Sequence, residues 1–171
     1  SQEIIDECST DTTLSHVTAY KRLDTLCGHK TPVCDLIVNF IEKYNISEPI
    51  AQIHVTSPFL KCEKVEKAYK LLLHHDSVVS CNKHNSRFWR RENYGFCPVN
   101  HNPLKLEQTQ DLPDLFEENS CFYIFNPSVI NKSGNRIGLS PFFYEIEYPQ
   151  NLDIDTESDW SVALSEANNE N

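Results

Sequence analysis

Between residues 50 and 81, two short apolar runs flank an amphipathic segment, and this alternation constrains the fold more than any other feature of the chain. The runs cover residues 50–55 and 76–81, and the segment between them has helical spacing over about 61–74. Short apolar runs separated by a helix are typical of buried parallel strands. The pattern therefore predicts an α/β domain with a mostly parallel sheet and helices on both faces.

Further elements extend this pattern. Apolar runs at 121–125 and 142–146 predict two more strands. A helix is expected after Thr31, which suits the N-cap, and Pro32, which suits the first helical position. The last predicted helix runs from the cap Thr156 through Leu164.

Residues 82–114 interrupt the alternation. They are polar, rich in Asn, His and Pro, and contain the basic residues Arg87, Arg90 and Arg91. A segment of this length without periodicity predicts a functional excursion or a small subdomain. The chain has a formal net charge of −10. We therefore interpret the basic patch as a solvated loop or subunit contact, and we expect no nucleic-acid partner.

Length and composition predict one domain over residues 1–171, because 39% of the residues are hydrophobic and a sizeable core is available. No apolar run approaches the ~20 residues needed to cross a bilayer, and the first residues do not have the pattern of a signal peptide. The seven scattered cysteines are interpreted as reduced thiols. We therefore expect no membrane partner and a cytoplasmic location, with the nucleus as the alternative.

Asp153 and Asp155 form the most informative polar motif. Two carboxylates two residues apart project to the same side of an extended backbone. Paired hard oxygens before a helix suit Mg²⁺ and hence phosphate chemistry, whereas a carboxylate at a helix N-terminus also suits the helix dipole. Spacing alone leaves metal binding and helix capping open.

Polar residues follow the carboxyl ends of the predicted strands at three places, where an open α/β sheet binds its ligands. The first is the turn Thr56-Ser57-Pro58, the second is Gln110-Asp111, and the third is the aspartate pair. We expect them to converge on one site. The turn alone is also typical of a helix entry.

Two Cys/His pairs have ligand-like spacing, Cys81 with His84 and Cys97 with His101. They suggest a zinc-stapled interaction domain as an alternative function. Chance pairs are also expected in a chain with seven cysteines and seven histidines.

Taken in order, several segments resemble motifs of the acylneuraminate cytidylyltransferase family over nearly the whole chain. The matching segments are Ser9-Thr10-Asp11, Lys21-Arg22-Leu23-Asp24-Thr25-Leu26, Lys30-Thr31-Pro32, His54-Val55-Thr56-Ser57-Pro58-Phe59, Gln110-Asp111-Leu112-Pro113 followed by Glu118-Asn119 and Tyr123-Ile124, and Asp153-Ile154-Asp155-Thr156. Each match is loose alone, but their order and intervals are specific.

The resemblance implies a Rossmann-like nucleotide-diphospho-sugar transferase fold and a homodimer, with 82–114 as the dimerisation excursion. It implies transfer of CMP from CTP to a nonulosonic (sialic-type) acid with release of pyrophosphate. Site residues follow by the same resemblance: Asp153 and Asp155 would be catalytic and hold Mg²⁺, Arg22 and Thr31 would bind nucleotide, and the substrate would be bound by His54, Thr56, Ser57, Gln110 and Asn119.

The sequence also departs from the family pattern. The initial Ala-Arg-x-Gly-Ser-Lys loop, which holds the triphosphate, has no match, so the fold is expected to be N-terminally incomplete and to lack the CTP-binding motif. His54 stands where the family has Gln, and Leu60 where it has Arg. A catalytically degenerate homologue that acts as a sugar-binding or interaction module is therefore the alternative function.

Overall fold

The computed structural model describes residues 2–28 and 30–169, and it divides between Ile46 and Ser47 into two compact units. The first unit contains the helices α1 (Gln2–Thr10) and α2 (Val33–Tyr44), with 3₁₀ turns at Thr12–Leu14 and Asp24–Leu26. The second unit contains the strands β1 (Ile50–Ile53), β2 (Ser77–His84), β3 (Trp89–Glu92), β4 (Gly95–Pro98), β5 (Leu115–Phe125) and β6 (Pro141–Glu145), and the helices α3 (Cys62–Tyr69), α4 (Pro127–Ser133) and α5 (Glu157–Asn169).

The predicted helix after Thr31 is confirmed as α2, with Pro32 rather than Thr31 at the cap position. Ile37 and Ile41 are its buried residues, one turn apart on one face. The helix ends at Asn45, whose left-handed backbone (φ 50°) is typical of a helix C-terminus.

The segment Ser9-Thr10-Asp11 matches a family motif that follows a strand, but in this structure it lies at the end of a helix. Ser9 and Thr10 close α1, and their hydroxyls donate back to backbone carbonyls one turn earlier in that helix. Asp11 instead caps the next 3₁₀ turn, because its Oδ1 accepts from the N–H of Thr13 at 2.8 Å. The structure thus places this motif on a helix end.

The main sheet has the strand order β1-β5-β2-β6 and is mixed. β5 is antiparallel to both β1 and β2, and only β2 and β6 are parallel. The expectation of a mostly parallel sheet is therefore wrong for the described residues. β1 and β2 lie on either side of β5 and do not pair with each other. An apolar run in the sequence indicates that a strand is buried, but it does not indicate the direction of that strand.

The core of the second unit lies on the central strands. Val78, Phe122 and Ile124 are fully buried there, with Ala68 of α3 packed against them. β2 and β5 change register between Val79 and Cys81, which marks a bulge. At this position the buried Ser80 hydroxyl donates to the Phe122 carbonyl at 3.0 Å and accepts from its N–H at 2.9 Å. The side chain thereby replaces ladder bonds that the bulge removes.

The predicted helix at 61–74 is realised as α3 followed by a 3₁₀ turn at Lys70–Leu73. Helical spacing predicts that Val65, Tyr69, Leu72 and Leu73 face inward. Val65 and Leu72 do pack on the core, whereas Tyr69 and Leu73 are 49% and 82% exposed. A 3₁₀ turn advances each side chain further around the axis than an α-helix does. Leu71 therefore packs on the core where α-helical spacing placed Leu73.

The excursion at 82–114 contains a hairpin in which β3 and β4 form their own two-stranded sheet. Asn100 fixes its base, because its side chain accepts from the N–H of Phe88 at 3.0 Å and donates to the carbonyl of Ser86 at 2.8 Å. Trp89, Tyr94 and Phe96 are exposed on the hairpin. A role in dimerisation stays a prediction.

Within the described residues, no helix has the length and apolar character that crossing a bilayer would require. All seven cysteines are free thiols.

Candidate functional site

The turn after β1 and the aspartate pair lie next to each other. The backbone N–H of Ile154, the residue between the two aspartates, donates to the carbonyl oxygen of Thr56 at 3.0 Å. The predicted convergence is thus confirmed for these two motifs. Gln110 lies exposed on the 3₁₀ turn Thr109–Asp111 and donates to Gln108, and no described contact joins it to the aspartates.

The carboxylates of the pair are not used for helix capping. Asp159 and Thr156 form the capping box of α5, with the N–H of Thr156 donating to Asp159 Oδ2 at 2.8 Å and the N–H of Asp159 donating to Thr156 Oγ1 at 3.3 Å. The predicted cap is confirmed. Asp155 contributes only its backbone N–H, which donates to the same Asp159 oxygen at 3.2 Å. Its carboxylate accepts no described hydrogen bond.

Asp153 also has a carboxylate oxygen without a hydrogen-bond partner in the described residues. Its Oδ1 is buried from solvent and accepts no hydrogen bond within the described residues. A buried carboxylate oxygen without a donor is costly unless a ligand satisfies it. The donor set is therefore one half-buried carboxylate with a buried oxygen and one exposed carboxylate. This set fits Mg²⁺, because the ion takes one or two carboxylates and fills its other positions with water and phosphate oxygens.

The four residues of the predicted zinc set are not assembled. No group of three or more His, Cys, Asp or Glu side chains among the described residues could hold a metal ion. Burial and the nearby Glu145 raise the pKa of Cys81 to about 11, which disfavours the thiolate that zinc needs. His84 bonds Glu117 at 2.9 Å, and His101 packs edge-on against Trp89. The described residues therefore do not support the predicted zinc site.

His54 belongs to a hydrogen-bonded relay with Gln52 and Arg136. Arg136 Nη1 donates to Gln52 Oε1 at 2.6 Å, and Gln52 Nε2 lies 2.8 Å from His54 Nε2. A guanidinium can only donate, so the Gln52 oxygen faces Arg136 and its NH₂ group faces His54. His54 Nε2 must therefore accept, which places the proton of the neutral ring on Nδ1.

Charges of both signs act on His54. Burial lowers its pKa and the positive charge of Arg136 lowers it further, whereas Asp153 and Asp155 act in the opposite direction. The net shift is downward, so the ring is neutral at pH 7. The imidazole thus lies within the electrostatic reach of one cation and both carboxylates.

Asn119, a predicted substrate-binding residue, uses its side chain for hydrogen bonds within the protein. Its side chain is buried, donates to Asn82 Oδ1 at 3.0 Å and accepts from the N–H of Cys121 at 3.3 Å. Asn82 Oδ1 also accepts from Asn151 at 2.9 Å. Asn82 therefore connects β2, β5 and the segment that leads to the aspartates. A substrate contact by Asn119 stays a prediction.

Ser57 is buried beside the aspartate run. Its hydroxyl lies close to the Cys121 thiol but makes no hydrogen bond of normal geometry. Burial raises the pKa of that thiol, the nearby Ser57 hydroxyl lowers it, and Asp153 raises it. Cys121 is therefore protonated and unreactive, and Ser57 retains an unused hydroxyl for the predicted substrate contact.

The two predicted nucleotide-binding residues lie in the first unit. Arg22 is exposed and lines a cavity of about 670 Å³ together with Tyr20 and Lys21. Thr31 lines a second cavity of about 600 Å³, and its N–H donates to the carbonyl of Gly28 at 3.2 Å. Their nucleotide-binding role stays a prediction.

Sequence reasoning missed Gln52, Arg136 and Tyr123. Arg136 and Gln52 are 84 residues apart, and the guanidinium carbon of Arg136 lies 3.5 Å from the centre of the Tyr123 ring. Gln52 and Arg136 belong to no motif with its own spacing, and Tyr123 lies in a segment that matches the family but was given no role. The only signal was the position of Gln52 two residues before His54, which puts both side chains on the same face of the chain.

Sequence comparison with known proteins identifies the family of this chain. No family model matches the chain. It is 30% identical over 150 residues to N-acylneuraminate cytidylyltransferase A of Danio rerio, covering 84% of this chain and 35% of that protein. It is 25% identical over 131 residues to N-acylneuraminate cytidylyltransferase of Streptococcus agalactiae serotype V, covering 74% and 32%.

The chain thus spans about a third of the length of the curated relatives it matches. Both relatives are nucleotidyltransferases by name. The chain itself belongs to the N-acylneuraminate cytidylyltransferase family. The expectation that it lacks an N-terminal motif stays untested, since the matched portion covers only part of each relative.

Proposed function

We propose that this chain contributes to transfer of CMP from CTP to a nonulosonic (sialic-type) acid. In this reaction a sugar hydroxyl attacks the α-phosphorus of CTP, the bond from that phosphorus to the bridging oxygen breaks, and pyrophosphate leaves. The names of the two relatives support the reaction class. The observation that carries the proposal is the aspartate pair with unused oxygens, attached to the Thr56 turn.

Asp153 and Asp155 would hold Mg²⁺, which when bound neutralises charge on the phosphate oxygens. The buried oxygen of Asp153 gives the pair one preformed ligand position. The exposed side chain of Asp155 gives it access to solvent and nucleotide. The two residues would thus position the reacting phosphate beside the turn.

Besides the predicted substrate contact, His54 would receive the proton of the attacking hydroxyl. Its lowered pKa keeps the ring neutral at pH 7, and Gln52 occupies Nε2 in the relay. A neutral imidazole in reach of a reacting group is a common general base. In this arrangement the ring would have to turn or exchange its Gln52 bond to accept the proton at Nε2.

We further propose that Arg22 and Thr31 contact the nucleotide, and that Thr56, Ser57, Gln110 and Asn119 contact the acidic sugar. A homodimer would form through the hairpin of β3 and β4. The exposed Trp89, Tyr94 and Phe96 supply that hairpin with apolar surface of the kind that subunit interfaces bury. Sedimentation of the wild-type protein and of Phe96→Ser tests the dimer.

A pyrophosphate-release assay tests the activity. The chain is mixed with CTP, Mg²⁺ and N-acetylneuraminic acid, and Asp155→Asn is run beside it. The variant should lose most activity and keep its fold, because Thr156 and Asp159 still cap α5. Sugar binding without any pyrophosphate release would favour the catalytically degenerate alternative. Equal turnover by Asp155→Asn would show that the metal assignment is wrong.

A further inference from the structure

Arg136 is held in a fixed orientation before any ligand arrives. Its guanidinium carbon lies 3.5 Å from the centre of the Tyr123 ring, and Nη1 donates to Gln52 at 2.6 Å. The Tyr123 ring is only 1% exposed and therefore forms a rigid base. Stacking uses the face of the guanidinium and leaves its other in-plane N–H groups available. Such a preorganised fork suits an oxyanion.

The loop that carries Arg136 is also fixed. The Asp76 carboxylate accepts from the N–H of Leu139 at 2.7 Å and from that of Ser140 at 3.0 Å. The hydroxyl of Ser77 accepts from the N–H of Gly138 at 2.9 Å. Three backbone N–H groups, two to four residues after Arg136, thus bind Asp76 and Ser77 at the start of β2.

Arg136 forms no ion pair with any carboxylate in the part of the chain that the structure describes. Within the described residues, the four ion pairs involve Lys83, His84, Arg90 and Lys105, and none involves Arg136. The chain has 25 acidic and 15 basic residues, so a partly buried cation without a carboxylate is unexpected. Desolvation of an unpaired charge is unfavourable, and a bound anion offsets that cost.

The position of this cation relative to the aspartates points to a ligand with two kinds of polar group. Arg136 contacts His54 through Gln52, and His54 lies two residues before Thr56, whose carbonyl accepts from the N–H of Ile154 between the two aspartates. A ligand that contacts both Arg136 and the aspartates needs an anionic group for the guanidinium and polar oxygen atoms near the carboxylates. An acidic sugar provides a carboxylate and hydroxyl groups in one molecule.

We infer that Arg136 binds the carboxylate of the acidic sugar and thereby selects acid sugars over neutral ones. The inference rests on the proposed function and deepens it by naming the residue that recognises the acid group. Gln52 positions the guanidinium, and Tyr123 supports it from below. Binding of the carboxylate also neutralises the charge that lowers the pKa of His54, so the ligand should raise that pKa.

Binding without turnover tests the inference directly. Titration calorimetry of the full chain with N-acetylneuraminic acid, in the absence of CTP, compares wild type with Arg136→Gln and Arg136→Lys. The first variant should bind about tenfold or more weakly, as loss of a charge-assisted contact predicts. The second should recover part of the affinity. Lys132→Gln, which removes an exposed charge from the end of α4, is the matched control and should bind as wild type does.

A second experiment changes the ligand instead of the protein. The methyl ester of the same sugar keeps every hydroxyl but has no carboxylate, so it should bind wild type and Arg136→Gln equally weakly. Histidine NMR signals of the wild type should show a higher pKa for His54 with the acid and an unchanged value with the ester. Circular dichroism confirms that the variants are folded.

The outcomes separate this inference from the proposed function. If the acid binds wild type and Arg136→Gln equally, the inference is wrong while the function stands. If CTP with Mg²⁺ raises the His54 pKa and the acid does not, Arg136 serves the triphosphate and the carboxylate assignment fails. If pyrophosphate is released while the acid leaves the His54 titration unchanged, the inference again fails alone.

Discussion

The N–H of Ile154 donates to the carbonyl oxygen of Thr56 at 3.0 Å, and the two residues are 98 positions apart in the chain. This bond fixes the residue that separates Asp153 from Asp155. It therefore attaches the proposed metal-binding carboxylates to the turn that follows β1. The hydrogen bonds that cap α5 lie on the other side of Asp155, so the carboxylate pair and the helix cap use different atoms.

Asp155→Asn should therefore remove most of the thermal stabilisation by Mg²⁺ without unfolding α5. Wild-type protein should melt at a higher temperature in the presence of Mg²⁺, because a ligand that binds only the folded state stabilises it. Loss of a charged ligand should remove most of this shift, measured by differential scanning fluorimetry. Asp159→Asn is the matched control, since it weakens the cap by about 1 kcal/mol and keeps the Mg²⁺ response. A full Mg²⁺ shift in Asp155→Asn would contradict the assignment.

His54 should make the protein less stable as the pH falls. Its pKa in the folded chain is below the unfolded value, because burial and Arg136 disfavour the imidazolium. Between the two values the unfolded chain binds more protons, so the free energy of unfolding rises with pH and levels off above about pH 6.5. Urea denaturation from pH 5 to pH 8 should show a shallower slope for His54→Gln than for wild type. Parallel curves would show that His54 titrates normally.

The two aspartates should shift this titration in the opposite direction. Both carboxylates raise the His54 pKa relative to burial and Arg136 alone. Asp153→Asn should therefore lower the pKa further, and Arg136→Gln should raise it. Proton NMR of the imidazole signals measures both. The same direction of shift in both variants would show that one of these charges does not reach the ring.

Gly138→Ala should destabilise the loop that carries Arg136. A Cβ at Gly138 would overlap the Asp76 carboxylate, and this carboxylate is held by the backbone of Leu139 and Ser140. Overpacking of this kind costs about 1–3 kcal/mol. Gly28→Ala is the control, because its nearest neighbour would be Thr31 Oγ1 at 3.5 Å. Equal unfolding midpoints for the two variants in urea would contradict the expected clash.

The cysteines should separate into reactive and protected thiols. Burial raises the pKa of both Cys81 and Cys121, and both side chains are inaccessible. Cys27 and Cys62 are exposed. Alkylation of the native protein near pH 8, followed by mass spectrometry, should label the exposed pair and spare the buried pair until denaturant is added. Early labelling of Cys81 would show that the β2–β5 bulge opens readily.

The sequence predicted α2 and the cap of α5 well because their signals are local. Helical spacing over Val33–Tyr44 and the Thr156–Asp159 pair each lie within a few turns of chain. It also predicted the neighbourhood of the Thr56 turn and the aspartates, because both follow strand-like segments. These features need only short-range chemistry and the rule that strand ends carry ligands.

Strand direction and the Arg136 relay could not be predicted in the same way. β5 starts at Leu115, but its first half carries Glu117, Glu118 and Asn119, so only the apolar end at 121–125 resembled a strand. Its antiparallel placement between β1 and β2 depends on pairings far apart in sequence. The contact of Arg136 with Gln52 is likewise long-range and has no periodicity.

The central position of β5 has a consequence for how the second unit opens. Its amides pair with β1 on one side and β2 on the other, so they should exchange with deuterium only when the whole unit unfolds. The aspartate segment is attached by far fewer backbone bonds, among them the one from Ile154 to Thr56. It should therefore exchange through small local openings. We therefore expect the segment that carries the carboxylates to open and close while the sheet stays intact.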